Sequence, residues 1–205
     1  MKILVYTITY NRLELTMKYL DSLKRHTEVP FDHIVFDNGS TDGTVEWLKG
    51  NNYNVIEYGE NLGITEAQNR GLKDIYKDYD LIIKFDNDCE VISDNILEKI
   101  VRFYTFGGSD DYVLSPIDLN LDKDYKPRVL STESFDYFDL ELTTHNGGMF
   151  RCVPKKAMEL MIGLDIRKDV TEGQTWRKHD FKVGYFIDIK VIHKGLNCTS
   201  KNYKL

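Results

Sequence analysis

Four prolines and three cysteines are few for a chain of 205 residues. So little proline argues against a proline-rich linker. Cys89, Cys152 and Cys198 are odd in number, far apart and at no zinc spacing. Neither a disulfide framework nor a structural zinc site is expected, and a reducing cytoplasm is the expected location. No apolar run approaches the roughly 18 residues that span a bilayer. The stretch from Ile3 through Val5 to Ile8 is too short for the core of a secretory signal and reads as a strand. Positive charge is also in deficit, with 27 Lys and Arg against 33 Asp and Glu and a net charge of −6. A generic grip on nucleic-acid phosphates needs clustered positive charge, so nucleic acid is not an expected partner. Any phosphate must be handled locally, by backbone amides, single basic side chains or a metal ion.

What remains is globular. The hydrophobic share of 41% and charged share of 29% suit one substantial core, and the length suits one domain. The first third alternates strand and helix signals. Residues 2–9 are an apolar run rich in Ile, Val and Tyr. Asn11 is placed to cap a helix on which Leu13, Thr16, Met17, Leu20 and Leu23 recur at helical spacing. Residues 34–36, 55–58 and 81–85 read as further strands, with helices beginning near Thr44 and running through Ala67, Leu72 and Ile75. Strands separated by single helices imply a parallel sheet, whose ligands sit beyond the carboxyl ends of the strands. Three polar clusters fall at such ends.

The second half is less regular. A helix is expected over residues 95–104, a strand over 112–115 stopped by Pro116, and a strand over 148–153. Pro154 suits the first turn of a helix reaching Ile162. Two short strands, 185–187 and 190–193, end the pattern. Residues 118–145 are acidic, aromatic and poorly periodic, which suggests a long excursion or a mobile flap.

The first cluster is Asp86-Asn87-Asp88. Carboxylates two apart at a strand end share a face and repel unless a cation lies near, and hard divalent ions favour such oxygens. A solvated turn is the alternative. The second, Asp37-Asn38-Gly39-Ser40-Thr41-Asp42-Gly43, offers helix-capping hydroxyls and acceptors for a nucleobase edge, or only a turn. The third, Thr9-Tyr10-Asn11-Arg12, supplies an aromatic for base stacking. Asn61-Leu62-Gly63 and Asn69-Arg70-Gly71 add a turn and a polar helix face, on which Arg70 is either a phosphate partner or solvated.

In this order and spacing, the clusters resemble glycosyltransferase family 2 with the GT-A fold. The match is close over residues 2–92 and looser over 146–195, through Gly148-Met149-Phe150-Arg151, Gly184-Tyr185 and Val191-Ile192-His193. The resemblance implies an α/β, Rossmann-like, mixed but mainly parallel sheet flanked by helices. It implies a single domain over 1–205, with 1–92 the nucleotide-sugar half and 93–205 the acceptor side. Thr9, Tyr10 and Asn11 would hold the nucleobase, Asp37 and Asn38 would read its edge, and Gly63 and Asn69 would line the cleft. Asp86 and Asn87 would face the nucleotide-sugar, with Asp86, Asp88 and His193 the ligands of Mn²⁺ or Mg²⁺ and Asp88 the more direct one. A lone histidine late in a strand, as His193 is, is more often structural.

The implied reaction is inverting transfer of a hexose from a nucleotide diphosphate-sugar to a glycan, lipid-linked or protein hydroxyl. Uracil is the first expectation for the base, thymine or guanine the alternatives. One carboxylate must take the acceptor proton. Relatives carry Glu-Asp there, whereas this chain has Glu172-Gly173. Glu172 is the first choice, Asp169 and Asp180 the alternatives, and Trp176 is either a sugar platform or packing. The missing carboxylate motivates a competing reading, a non-catalytic nucleotide-sugar or glycan-binding module. A sugar nucleotidyltransferase is disfavoured, because no glycine-rich loop follows the first strand.

Overall fold

The structure, a computed structural model, describes residues 1–120, 127–135, 137–163 and 169–194; the side chains of 163 and 169–173 are outside that description. The first half is wound as the alternation predicts. It runs β1 (Ile3–Thr9), α1 (Leu13–Arg25), β2 (Asp32–Asp37), α2 (Thr44–Gly50), β3 (Asn54–Glu57), α3 (Ile64–Leu72) and β4 (Leu81–Phe85). The second half adds β5 (Cys89–Val91), α4 (Ile96–Arg102), β6 (Tyr112–Asp118), β7 (Val129–Phe135), β8 (Phe138–Thr143), β9 (Phe150–Pro154), α5 (Lys155–Gly163), α6 (Asp169–Lys178) and β10 (Lys182–His193). They form one mixed sheet in the order β3-β2-β1-β4-β9-β6-β10-β8-β7, with β5 paired to β10.

β1, β2, β3 and β4 are parallel to one another, whereas β9 runs antiparallel between β4 and β6. Every residue of β1 is buried, as a central parallel strand requires. Its side chains alternate between two cores. Ile3 and Val5 face Leu20, Leu23 and Leu48 of α1 and α2 together with Leu97 and Ile100 of α4. Leu4, Tyr6 and Ile8 face Ala67 and Leu72 of α3 together with Ala157, Met158 and Trp176 of α5 and α6. Helices therefore cover both faces. On α1 the buried Thr16, Tyr19, Leu20 and Leu23 recur at helical spacing, and each buried leucine contributes about 1.5–3 kcal/mol.

Several expectations are corrected. Arg12, not Asn11, occupies the N-cap position of α1, and no side chain of its own caps it; Asp42 accepts from the Leu13 N–H at 2.9 Å instead. Ile75 lies in a separate short turn of 3₁₀ helix, Ile75–Asp78, beyond the end of α3. Pro116 does not stop β6. It pairs opposite Phe186, where the register with β10 shifts between Phe186 and Lys190, and a proline is tolerated at such a bulge. Pro154 is the last residue of β9 and stands immediately before α5, the helix expected through Ile162. The two C-terminal strands are one twelve-residue strand, β10.

Within the irregular stretch, β7 and β8 form an antiparallel hairpin that carries Phe138, Leu140 and Leu142 into the core, so this part is no flap. Residues 121–126 and 136 lie outside the description. Gly184 has a packing role here: a Cβ there would come within 2.2 Å of the Glu141 carbonyl oxygen on β8.

On β2, the half-buried His33 contacts Thr7 Oγ1 at 3.2 Å and the Tyr19 hydroxyl at 3.4 Å. Burial lowers its pKa from 6.5 to about 4. The unfolded chain takes up this proton near pH 6.5, the folded chain only near 4, so acid in that window favours unfolding. Stability should therefore fall between these values by up to about 3 kcal/mol through His33. In urea titrations His33→Gln should flatten this loss; an unchanged slope would contradict the assignment.

Candidate functional site

The carboxyl ends of β1, β2 and β4 converge where the strand order reverses between β1 and β4, the place where open α/β sheets bind ligands. β4 ends in a turn that Asp86 enters by donating its backbone N–H to Met149 O at 2.8 Å. β5 then pairs antiparallel with the end of β10, setting Cys89 opposite His193. The ladder extends through Lys194 N–H to Asp88 O at 2.7 Å. This register brings His193 Nε2 to 3.0 Å from Asp88 Oδ1, across 105 positions of sequence.

The other Asp88 oxygen, Oδ2, accepts from Arg12 Nη1 at 2.5 Å. Burial opposes charge on Asp88, but His193 and Arg12 outweigh it and hold its pKa below the ordinary carboxylate value. The counterpart holds for His193. Burial opposes its charge, Asp88 favours it more, and its pKa is raised. Asp118 fixes the same strand end, accepting from the backbone N–H groups of His193 and Asn120, both at 3.0 Å.

Asp86 is engaged differently. It pairs at 2.9 Å with Lys84, a buried lysine that also donates to Gly148 O at 2.7 Å. Burial raises the Asp86 pKa, Lys84 pulls it down, and the neighbouring Asp88 raises it further. Among the described residues, the side chains that come together as a group able to hold a metal are Asp88, Cys89 and His193, with donor atoms within 4.8 Å of one another.

The sequence model of glycosyl transferase family 2 matches residues 4–161. The chain belongs to glycosyltransferase family 2. Solved structures of similar fold include a mannosyltransferase from Pyrobaculum calidifontis in complex with GDP-mannose and Mn²⁺ (TM-score 0.68, 16% identity, 97% of this chain and 58% of that one). Residues 1–349 of S. aureus TarS with UDP-GlcNAc give a TM-score of 0.71 at 16% identity, over 96% of this chain and 59% of that one. GalNAc-T7 with UDP, GalNAc and Mn²⁺ gives 0.70 at 14% identity, over 94% and 43%. This chain thus spans about three fifths of the first two and less of the third. No curated protein matches it significantly.

With a family 2 fold established, the expected residues fall into three groups. Asp88 and His193 meet, as described. Thr9, Asn11, Asp37, Asn38 and Asn87 gather at the same strand ends, but their polar atoms are largely spent on one another. Asp37 Oδ1 accepts from the Gly39 and Ser40 N–H groups at 3.0 and 2.9 Å, and its Oδ2 from Ser40 Oγ at 2.5 Å. Asn38 donates to Asn61 Oδ1 and accepts from Leu62 N–H, each at 3.0 Å, which ties the loop after β2 to the loop before α3. Asn11 Oδ1 accepts from Thr41 N–H at 2.8 Å. Gly63 enters α3 at φ 76, in the left-handed region that glycine favours. Asn69 is half-buried on α3, and Tyr10 is 47% exposed beside the cleft.

In the last group, Asp180, Trp176 and Arg70 are not brought in. Asp180 stands before β10, at the opposite end of that strand from His193. Trp176 is fully buried, its indole N–H donating to Ala157 O at 3.3 Å, so it is packing. Arg70 lies over the Tyr58 ring, 5.2 Å from its centroid. Glu172 and Asp169 have backbones in α6, and their side chains lie outside the described residues. Sequence reasoning missed Lys84, Cys89 and Asp118. Lys84 had a signal, since a lysine inside an otherwise apolar strand requires a buried carboxylate partner.

Asn87 points inward from the acidic turn. Its amide donates to Thr9 Oγ1 and Thr16 Oγ1, both at 3.0 Å, which binds the turn to β1 and α1. Asn87→Ala should lower unfolding stability by about 1–3 kcal/mol, read from the urea midpoint. A change below a few tenths would show that the amide carries no structural weight.

Proposed function

We propose that the chain transfers a sugar from a nucleotide diphosphate-sugar to a hydroxyl acceptor with inversion, using a divalent ion at Asp88 and His193. The carrying observation is the 3.0 Å contact of Asp88 Oδ1 with His193 Nε2 at the carboxyl edge of the sheet. Two ligands at right angles, each about 2.1 Å from an ion, stand about 3.0 Å apart, so the separation of this pair suits cis positions on one octahedral ion. One carboxylate oxygen and one imidazole suit Mn²⁺ and tolerate Mg²⁺ less well. Cys89 is the poorest of the three donors, because burial raises its thiol pKa and the surrounding carboxylates raise it further. Bound there, the ion would neutralise charge developing on the leaving diphosphate. The Mn²⁺ of the mannosyltransferase and of GalNAc-T7 supports the reading by analogy.

The chain's own residues then divide the work. Tyr10 is exposed enough to stack on the base, with uracil the first expectation. Asp37 and Asn38, engaged as they are, shape the loop beneath it. Gly63 and Asn69 line the same side. Asp86 is held by Lys84 and would face the donor as a fixed acceptor more than as a metal ligand. Glu172 is the proposed base that takes the acceptor proton. The cytoplasm is the proposed location; no helix among the described residues is long and apolar enough to cross a membrane. Binding without turnover is the second reading, favoured by Gly173 standing where relatives carry a second carboxylate.

Release of nucleoside diphosphate from UDP- and GDP-sugars, with and without Mn²⁺, tests the proposal. Turnover with one donor should require the ion, and Asp88→Asn should reduce it by about 100-fold or more while leaving the circular dichroism unchanged. Metal-independent turnover, or full activity in Asp88→Asn, would overturn the metal assignment. Tight donor binding without release would favour the second reading.

A further inference from the structure

Arg12 enters α1 in a conformation that costs a non-glycine residue energy. Its φ is 65, and Asn11 before it has φ 58, so two consecutive residues are left-handed. The neighbouring loop keeps them there. Asn11 N–H donates to Ser40 Oγ at 2.8 Å, and Leu13 N–H donates to Asp42 Oδ2 at 2.9 Å. The result turns the Arg12 side chain across the cleft to a carboxylate 76 positions away.

The two cations on Asp88 are not equivalent. His193 is held by its backbone N–H on Asp118 and by its place in the β10 ladder, and its side chain is only 11% exposed. Arg12 is 51% exposed, reaching in from solvent on a long flexible stem. Its guanidinium lies where a second cation on Asp88 would be repelled by it.

We infer that Arg12 is a built-in counter-ion of the metal site: it rests on Asp88 in the ion-free protein, leaves when a divalent ion binds, and turns to the anionic donor. The inference rests on the metal reading proposed above. Arg12 thus acts on the ion through Asp88 and on the donor directly. The strained backbone fits that role, because a guanidinium on a loop held by hydrogen bonds can exchange partners through its flexible stem. Balancing Asp88 in this way also prevents an uncompensated buried charge while the ion is absent.

The experiment is a titration of Mn²⁺ alone, followed by the paramagnetic resonance of the free ion, on wild type, Arg12→Asn and Arg12→Gly. Both substitutions tolerate the left-handed backbone, so the loop is retained, and thermal unfolding checks this. With the competitor gone, each variant should bind Mn²⁺ about tenfold more tightly than wild type. At saturating Mn²⁺ each should bind whichever of UDP and GDP the wild type binds about tenfold more weakly. A merely structural arginine would weaken both steps or neither. Equal or weaker Mn²⁺ binding by both variants, with wild type binding the ion, would overturn the inference and leave the metal reading standing. No Mn²⁺ binding by any of the three proteins, with either nucleotide, would overturn both.

Discussion

The site depends on one pairing, the short antiparallel ladder between β5 and the end of β10. Val91 opposes Val191, Glu90 opposes Ile192 and Cys89 opposes His193. A slip of one residue would turn His193 to the other face of the sheet and away from Asp88. The ladder is only three residues long, so other contacts have to fix its register. Val91 and Val191 are buried in the core, Asp118 holds the His193 backbone, and Lys194 N–H reaches the Asp88 carbonyl. The shift in register between β6 and β10 near Pro116 belongs to the same solution. It lets one strand lie parallel to β6 and still present its end to β5.

Charge is balanced locally in a chain that is acidic overall. Asp86 is met by Lys84, and Asp88 by Arg12 and His193. Each carboxylate is thereby paired, Asp88 in a buried setting and Asp86 in a half-buried one, as a charge withdrawn from water demands. The consequence is a division of labour within the acidic turn. Asp86 is locked from below, Asn87 is bolted to β1 and α1, and Asp88 is the member whose partner comes from solvent. Of the three residues, Asp88 alone has a counter-ion that can be exchanged without disturbing the sheet.

Much of the first half was legible because its strands are continuous apolar runs and its helices carry periodic apolar faces. The segments Ile3–Thr9 and Leu81–Phe85 read correctly as buried strands. The second half resisted because its elements are defined by long-range partners. Cys89–Val91 is too short to show a period and exists as a strand through β10. Pro116 looked like a stop because the bulge that spares it cannot be seen in sequence. The alternation of Phe138, Leu140 and Leu142 was a visible strand signal, obscured by the acidic residues between them. In the site, the pairing of Asp88 with His193 was suggested only by the family resemblance, since a lone histidine late in a strand reads more often as structural. The inward turn of Asn87 and the capping of Leu13 by Asp42 were not legible, since both require knowing which loops adjoin.

The central claim is that Asp88 and His193 form the two protein arms of a divalent-ion site at the carboxyl edge of the sheet. Its most direct test is the anomalous scattering of Mn²⁺ in crystals soaked with the ion and a nucleoside diphosphate. The account predicts one strong peak within bonding distance of Asp88 Oδ1 and His193 Nε2. A peak on Asp86 away from His193, or bound nucleotide with no peak between Asp88 and His193, would contradict it.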